Sequence, residues 1–351
     1  MKRIKKIIFF FDFFFFNFVA EQNSNIILLF IITIIILYFI LKDEYEAILS
    51  ALLNSNLVYV FLMIIVMFIA EFIKSISLYL ITKSSKKNYE FKNSLRLELE
   101  TNFFNGVTPF SLGGQPFQLY VLKKTSNIDY TTGANILFKD YYSYQMALMF
   151  LGIIFVVLDK VFNILTMTSV VGKFMLIGFI INIIITILQI YLPFSKGSGK
   201  KLVNKLVGFL SKIKIIKDRE KNEKKLNDSI EKFKVQIHEI AEDPKLMIKC
   251  SLLNLIRFLL FGLLTYLSFK AVNLSGINVM VATIAMILIT IMSSFVPIPG
   301  ASGGMEFGYI AIFSAFVGGP SLTAAMILWR FVHYYLPMIF GSILFVFEKR
   351  E

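Results

Sequence analysis

Seven predominantly apolar runs recur along the chain, from about Ile26 to Leu41, Leu57 to Thr82, Thr131 to Leu158, Val170 to Leu192, Cys250 to Val272, Ile277 to Val296 and Pro320 to Phe347. Most reach the roughly 17 to 25 residues that carry a helix across a hydrocarbon layer of about 30 Å. Backbone inside lipid must satisfy its own polar groups, so the runs predict helices. Composition agrees: 57% of the residues are hydrophobic, 17% are charged, and the mean hydropathy is +0.72. The predicted fold class is an all-α polytopic membrane protein of about seven to eight transmembrane helices.

Several kinds of chemistry are disfavoured at once. Cys250 is the single cysteine, which excludes an intrachain disulfide and leaves too few thiolates for a metal cage. His238 and His333 lie far apart in sequence, so no cofactor or metal is expected. The formal net charge of +13 sits mostly in loops, where it orients a membrane protein and attracts anionic lipid. No motif points to nucleic acid.

Charge also divides the chain into four parts. Residues 1–24 form a Phe-rich N-terminal segment with a basic start, broken by Asp12. Phe18, at the −3 position for signal cleavage after Ala20, fits the small-residue rule poorly, which favours an interfacial anchor or loose tail. Residues 25–194 form a first membrane half, 195–249 a basic insert and 250–351 a second half. The insert carries fifteen Lys or Arg against eight Asp or Glu. Apolar positions such as Leu202, Leu206, Phe209, Ile230, Phe233 and Ile237 give it amphipathic helices, either on the inner leaflet or as a solvated hairpin. Lysines from Lys83 to Lys92, Lys123, Lys124 and the insert place those loops and both termini in the cytoplasm.

That orientation requires the chain to enter and leave the membrane on one side between Lys92 and Lys123. The stretch GVTPFSLGGQPF, residues 106–117, lies there. A second broken stretch, PIPGASGGMEF, follows the sixth run at residues 297–307. Both read PxxxGGxxF, with the glycine pairs at Gly113–Gly114 and Gly303–Gly304. Downstream, Ile136-Leu137-Phe138-Lys139 resembles Ile327-Leu328-Trp329-Arg330. These matches predict two re-entrant broken hairpins entering from opposite faces, an inverted repeat whose tips meet near the midplane.

Proline lacks an N–H and glycine adopts unusual dihedrals, so the freed polar groups must line protein or water. Helices starting after Gly114 and Gly304 would aim partial positive charge at the tips and favour an anionic group there. Charged residues at membrane depth should pair or face a cavity. Lys139, Asp140, Glu306 and Arg330 read as site residues, with Gln115, Gln118 and Tyr120 as neutral hydrogen-bonding groups. Glu71, Lys74 and Arg257 read at least as well as side chains reaching the interface.

The stretches NGVTPFSLGGQPFQLYVLKK, PIPGASGGMEF and LWRFVHYYLPMIFG together resemble the flippase-like transmembrane domain of the lysylphosphatidylglycerol synthases, here in stand-alone form. The resemblance covers roughly residues 25–347. It implies a cell-membrane protein that moves aminoacylated phosphatidylglycerol, or a related lipid, between leaflets and so weakens cationic antimicrobial peptides. It implies no aminoacyl transfer by this chain, because the soluble catalytic domain of full-length members is not present in it. The family motifs carry over to Gly113, Gly114, Gln115 and Pro116, to Pro297, Pro299, Gly300, Gly304 and Glu306, and to Arg330. Gln115 departs from a position that is often a carboxylate in the family.

Two other functions compete with lipid transport. The turn Gly300-Ala-Ser302-Gly resembles the nucleophile turn of rhomboid intramembrane proteases, with His333 on a later span. No earlier span supplies a histidine or asparagine pair for an oxyanion, which counts against it. The chain could also be an accessory subunit that acts beside a separate lipid synthase, with the basic insert as its docking surface.

Overall fold

A computed structural model describes residues 46, 49–50, 53–108, 113–162, 169–194, 243–294, 301 and 304–347. The run from Ile26 to Leu41, the Phe-rich segment and nearly all of the basic insert lie outside these residues, as do Ser302, Gly303 and the residues 109–112 and 295–300 of the two tips. Within the described residues every element is helical.

The described residues form ten α-helices, in chain order α1 (Leu57–Ser85), α2 (Phe91–Val107), α3 (Gly114–Ser126), α4 (Tyr130–Phe162), α5 (Ser169–Phe194), α6 (Pro244–Ala271), α7 (Val279–Ser293), α8 (Gly304–Phe313), α9 (Pro320–Arg330) and α10 (Leu336–Phe347). Their starts are chemically marked. Asn56 accepts a hydrogen bond from Val58 N, Asp243 from Leu246 N and Asn278 from Val281 N, each satisfying a donor with no partner inside its helix. Among the described residues, four stretches are long and apolar enough to cross a membrane: α1, α4, α6 and the continuous run from α9 to α10.

The helices turn apolar side chains outward. On α1, Leu57, Phe61, Ile65, Ile69 and Phe72 are exposed, whereas Met63, Met67, Ala70, Lys74 and Ser77 form the buried stripe at the same three-to-four spacing. A protein in water would invert that arrangement. Small residues let helices approach: a Cβ on Gly341 of α10 would lie 2.2 Å from the Leu99 carbonyl of α2, and one on Gly152 of α4 2.7 Å from Ile291 of α7.

Helices α1 and α6 pack side by side in opposite directions. Asn56 N bonds to Ala271 O, Glu71 to Arg257, and Cys250 Sγ contacts Ser77 O, so positions rise on one helix as they fall on the other. After α1 in the chain, α2 and α3 make a hairpin that does not cross. Lys86, just past α1, bonds to Ser126 O at the end of α3, returning the chain to the level it left. At about 1.5 Å per residue, α2 and α3 reach roughly 26 and 20 Å into a layer of about 30 Å.

The order of long, short, short and long helix occurs twice, as α1 to α4 and as α6 to α10. Packing repeats with it: α1 on α2 corresponds to α6 on α7, α2 on α3 to α7 on α8, α3 on α4 to α8 on α9, α1 on α4 to α6 on α9, and α2 on α10 to α7 on α4. One sequence offset relates the starts of α3 and α8 at Gly114 and Gly304 and the starts of α4 and α9 at Tyr130 and Pro320. Because α1 and α6 are antiparallel, the halves are inverted and their hairpins begin on opposite faces.

The last span is not a regular α-helix. Between α9 and α10, Phe331–Tyr335 form one π turn in which Leu336 N bonds to Phe331 O. Pro337 explains the turn, since it cannot donate to the preceding turn and its ring crowds that carbonyl.

Candidate functional site

Residues flanking both breaks line one cavity of about 670 Å³. Asn105, Gly106 and Gln115 come from the first hairpin; Ser294, Ala301 and Met305 come from the second. The first break is stitched by side chains. Thr108 Oγ1 accepts from Gly113 N at 2.8 Å, and Asn105 Oδ1 accepts from Gly114 N at 3.0 Å. Tyr334, on the π turn of the other repeat, donates to Gly106 O at 2.6 Å. These three backbone groups flanking the break are thus satisfied within protein, as a low-dielectric surrounding demands.

Three ion pairs stand on the wall. Glu71 is the fifteenth of the 29 residues of α1 and Arg257 the fourteenth of the 28 of α6, so their pair, 3.0 Å long, lies midway along both helices. Glu71 also accepts from Asn102 Nδ2 at 3.0 Å. Lys74 pairs with Asp140 of α4. Arg330, 1% exposed, pairs with Glu306 at 2.7 Å and places its guanidinium 4.0 Å from the Tyr334 ring centroid. These depths correct the reading of Glu71, Lys74 and Arg257 as interface-reaching side chains.

Of the sequence-predicted site residues, Gln115, Gln118, Asp140 and Arg330 line the cavity, and Glu306 joins it through Arg330. Gly113 and Gly114 sit at the first break with both N–H groups taken by Thr108 and Asn105. The expected anion site at the start of α3 is therefore closed at those two donors. Gly304 opens α8, and Gly303 lies outside the described residues. Lys139 is buried but is not on the cavity wall, and Tyr120 is not on it either. The equivalent of Arg330 is Asp140, which lies twenty-six positions after its glycine pair just as Arg330 does.

Sequence reasoning missed Glu98, Asn102, Asn105, Tyr144, Gln145 and Asn182, all of which face the cavity. The dense polar spacing of Arg96-Leu-Glu-Leu-Glu-Thr-Asn102 between two apolar runs was the available signal. His333 also lines it, stacked on Trp329 at 5.3 Å and edge-on to Phe261 at 4.6 Å. Among the described residues, no group of three or more His, Cys, Asp or Glu side chains is placed to hold a metal ion.

Residues 25–341 match the sequence model of the lysylphosphatidylglycerol synthase TM region. A UPF0104 membrane protein of Methanocaldococcus jannaschii is 29% identical over 321 residues, covering 87% of this chain and 89% of that protein.

Proposed function

The chain belongs to the lysylphosphatidylglycerol synthase transmembrane family, and from that membership we propose that it moves a phospholipid with an anionic or aminoacylated head group between the leaflets of the cell membrane. The observation that carries this reading is a cavity of about 670 Å³ lined by residues of both inverted repeats, with the Glu71–Arg257 pair, midway along two spans, on its wall. Its size falls among small-molecule sites of about 300 to 1,000 Å³. A head group crossing hydrocarbon needs such shelter, because burying its charge or hydroxyls unpaired costs several kcal/mol.

In this reading Arg330 takes the head-group phosphate, and Gln115 and Asn105 add neutral hydrogen bonds. Glu306, released from Arg330 as the phosphate arrives, receives a hydroxyl or ammonium group. Asp140 and Gln118 hold the opposite wall. Gly304 starts α8 beside the second break, and Lys139 and Tyr120, which are off the cavity wall, are assigned no head-group contact in this reading. Inverted repeats supply the motion: exchanging the conformations of the hairpins turns the cavity from one face to the other. The positive-inside rule sets the end of α1 and both chain termini in the cytoplasm.

The test is fluorescent phosphatidylglycerol in proteoliposomes, with transfer between leaflets followed by albumin extraction. Arg330→Ala should slow transfer at least tenfold while the elution volume in detergent and the helical circular dichroism stay unchanged. Equal rates in folded wild type and variant would remove Arg330 and the phosphate site from the proposal.

A further inference from the structure

Charges on the cavity wall can be counted against one another. Arg257, Lys74 and Arg330 are paired with Glu71, Asp140 and Glu306, which leaves one carboxylate. Glu98 of α2 is 5% exposed and faces the cavity. Among the described residues it joins no ion pair, and its hydrogen-bond partner is the neutral Gln118 Nε2 at 3.2 Å. Arg96, on its own helix, is held by Glu100 at 3.1 Å.

Among the described residues, the surroundings offer Glu98 no spare cation. From α1 come Glu71 and Lys74, both paired. From α3 comes Gln118 alone at this level, and α10 carries no titratable side chain. Across the cavity stand Asp140, Tyr141 and Tyr144 of α4, Arg257 of α6, and His333 and Tyr334 of the π turn. An ionised Glu98 would thus be a fourth carboxylate among three committed cations, in a layer where a lone charge costs about 2.5 to 3.5 kcal/mol. Taking up a proton removes that cost.

We infer that Glu98 is a proton-binding site, and that its loading couples lipid movement to a proton gradient. The coupling device is Lys74. With Glu98 protonated, Lys74 belongs to Asp140 and ties α1 to α4. Once the proton leaves to the opposite aqueous side, the carboxylate competes for Lys74 and draws α2 toward α1, biasing one hairpin between two arrangements. No other reactant is consumed; the gradient supplies the drive. The coupling rests on the lipid-moving reading above, whereas the proton site does not.

Two measurements separate these parts. Infrared spectra of the protein in nanodiscs between pH 5 and 9 should contain a protonated-carboxyl band that titrates, is lost in Glu98→Gln and returns, shifted, in Glu98→Asp. No such band at any pH, or a band unaffected by Glu98→Gln, overturns the site. In proteoliposomes with the membrane potential clamped, the steady-state ratio of labelled phosphatidylglycerol between leaflets should shift about tenfold per unit of imposed pH gradient if one proton accompanies each lipid. In Glu98→Gln that ratio should ignore the gradient, whatever its rate. A wild-type ratio indifferent to the gradient overturns the coupling and leaves lipid movement standing; no lipid movement at all overturns the function proposed above, with the infrared result still judging Glu98.

Discussion

Replacing Glu71 by leucine removes the acceptor that holds Arg257 at 3.0 Å and Asn102 at 3.0 Å, halfway along two packed helices. Glu71 is 4% exposed, so water cannot take its place cheaply. The guanidinium left behind already has an Nε without a partner among the described residues and lies 4.9 Å from the Phe261 ring centroid. Stranding one member of a buried pair costs about 3 to 5 kcal/mol. Insertion scales for a lone arginine at mid-helix give about 2.5 to 3.5 kcal/mol, which supports the lower end. Removing both charges in Glu71→Leu/Arg257→Leu should recover most of the loss, because two apolar side chains replace the pair. Arg257→Leu alone should cost less than Glu71→Leu, since Lys74 lies one turn from the remaining carboxylate. The assay is reversible unfolding in mixed micelles by SDS titration for wild type, both single variants and the double, with a coupling of at least about 2 kcal/mol expected. A Glu71→Leu cost under about 1 kcal/mol, or additive effects, would refute the claim that this pair sits in low dielectric.

Three further outcomes follow from the packing and the cavity. Gly341→Ala drives a methyl group to within 2.2 Å of the Leu99 carbonyl, a backbone atom that cannot rotate away, so the thermal transition in detergent should fall with a loss of about 1 to 3 kcal/mol. Tyr334→Phe leaves the Gly106 carbonyl without its 2.6 Å donor at the first break and should destabilise by about 1 to 3 kcal/mol, measured in the same titration. In a Cys250→Ser background, a thiol introduced by Gln115→Cys should react with a charged, membrane-impermeant reagent, whereas Phe61→Cys on the lipid stripe should not. Equal labelling at both positions would contradict a hydrated cavity.

Much of the architecture was readable from the amino acids. Within the described residues, the predicted spans coincide with α1, α4, α5, α6, α7 and the run from α9 to α10. Gly114 and Gly304 open helices where the paired glycines predicted breaks. Lysine placement also forced the first hairpin to return to its own side, as the bond from Lys86 to Ser126 O records. These features are local: hydrophobic length, proline, glycine and loop charge act over a few residues and need no partner. The repeat was legible for the same reason, although sequence aligned Arg330 with Lys139 and the helix starts align it with Asp140.

Pairing belonged to the tertiary structure alone. Glu71 meets Arg257 across 186 positions, Lys74 meets Asp140 across 66, and, among the described residues, the hydrogen-bond partner of Glu98 is a glutamine. No periodicity distinguishes a glutamate that reaches the interface from one held at mid-depth. The free energy of a charge inside a membrane depends on what stands opposite it, and antiparallel packing of the two halves, not neighbours along the chain, decides that.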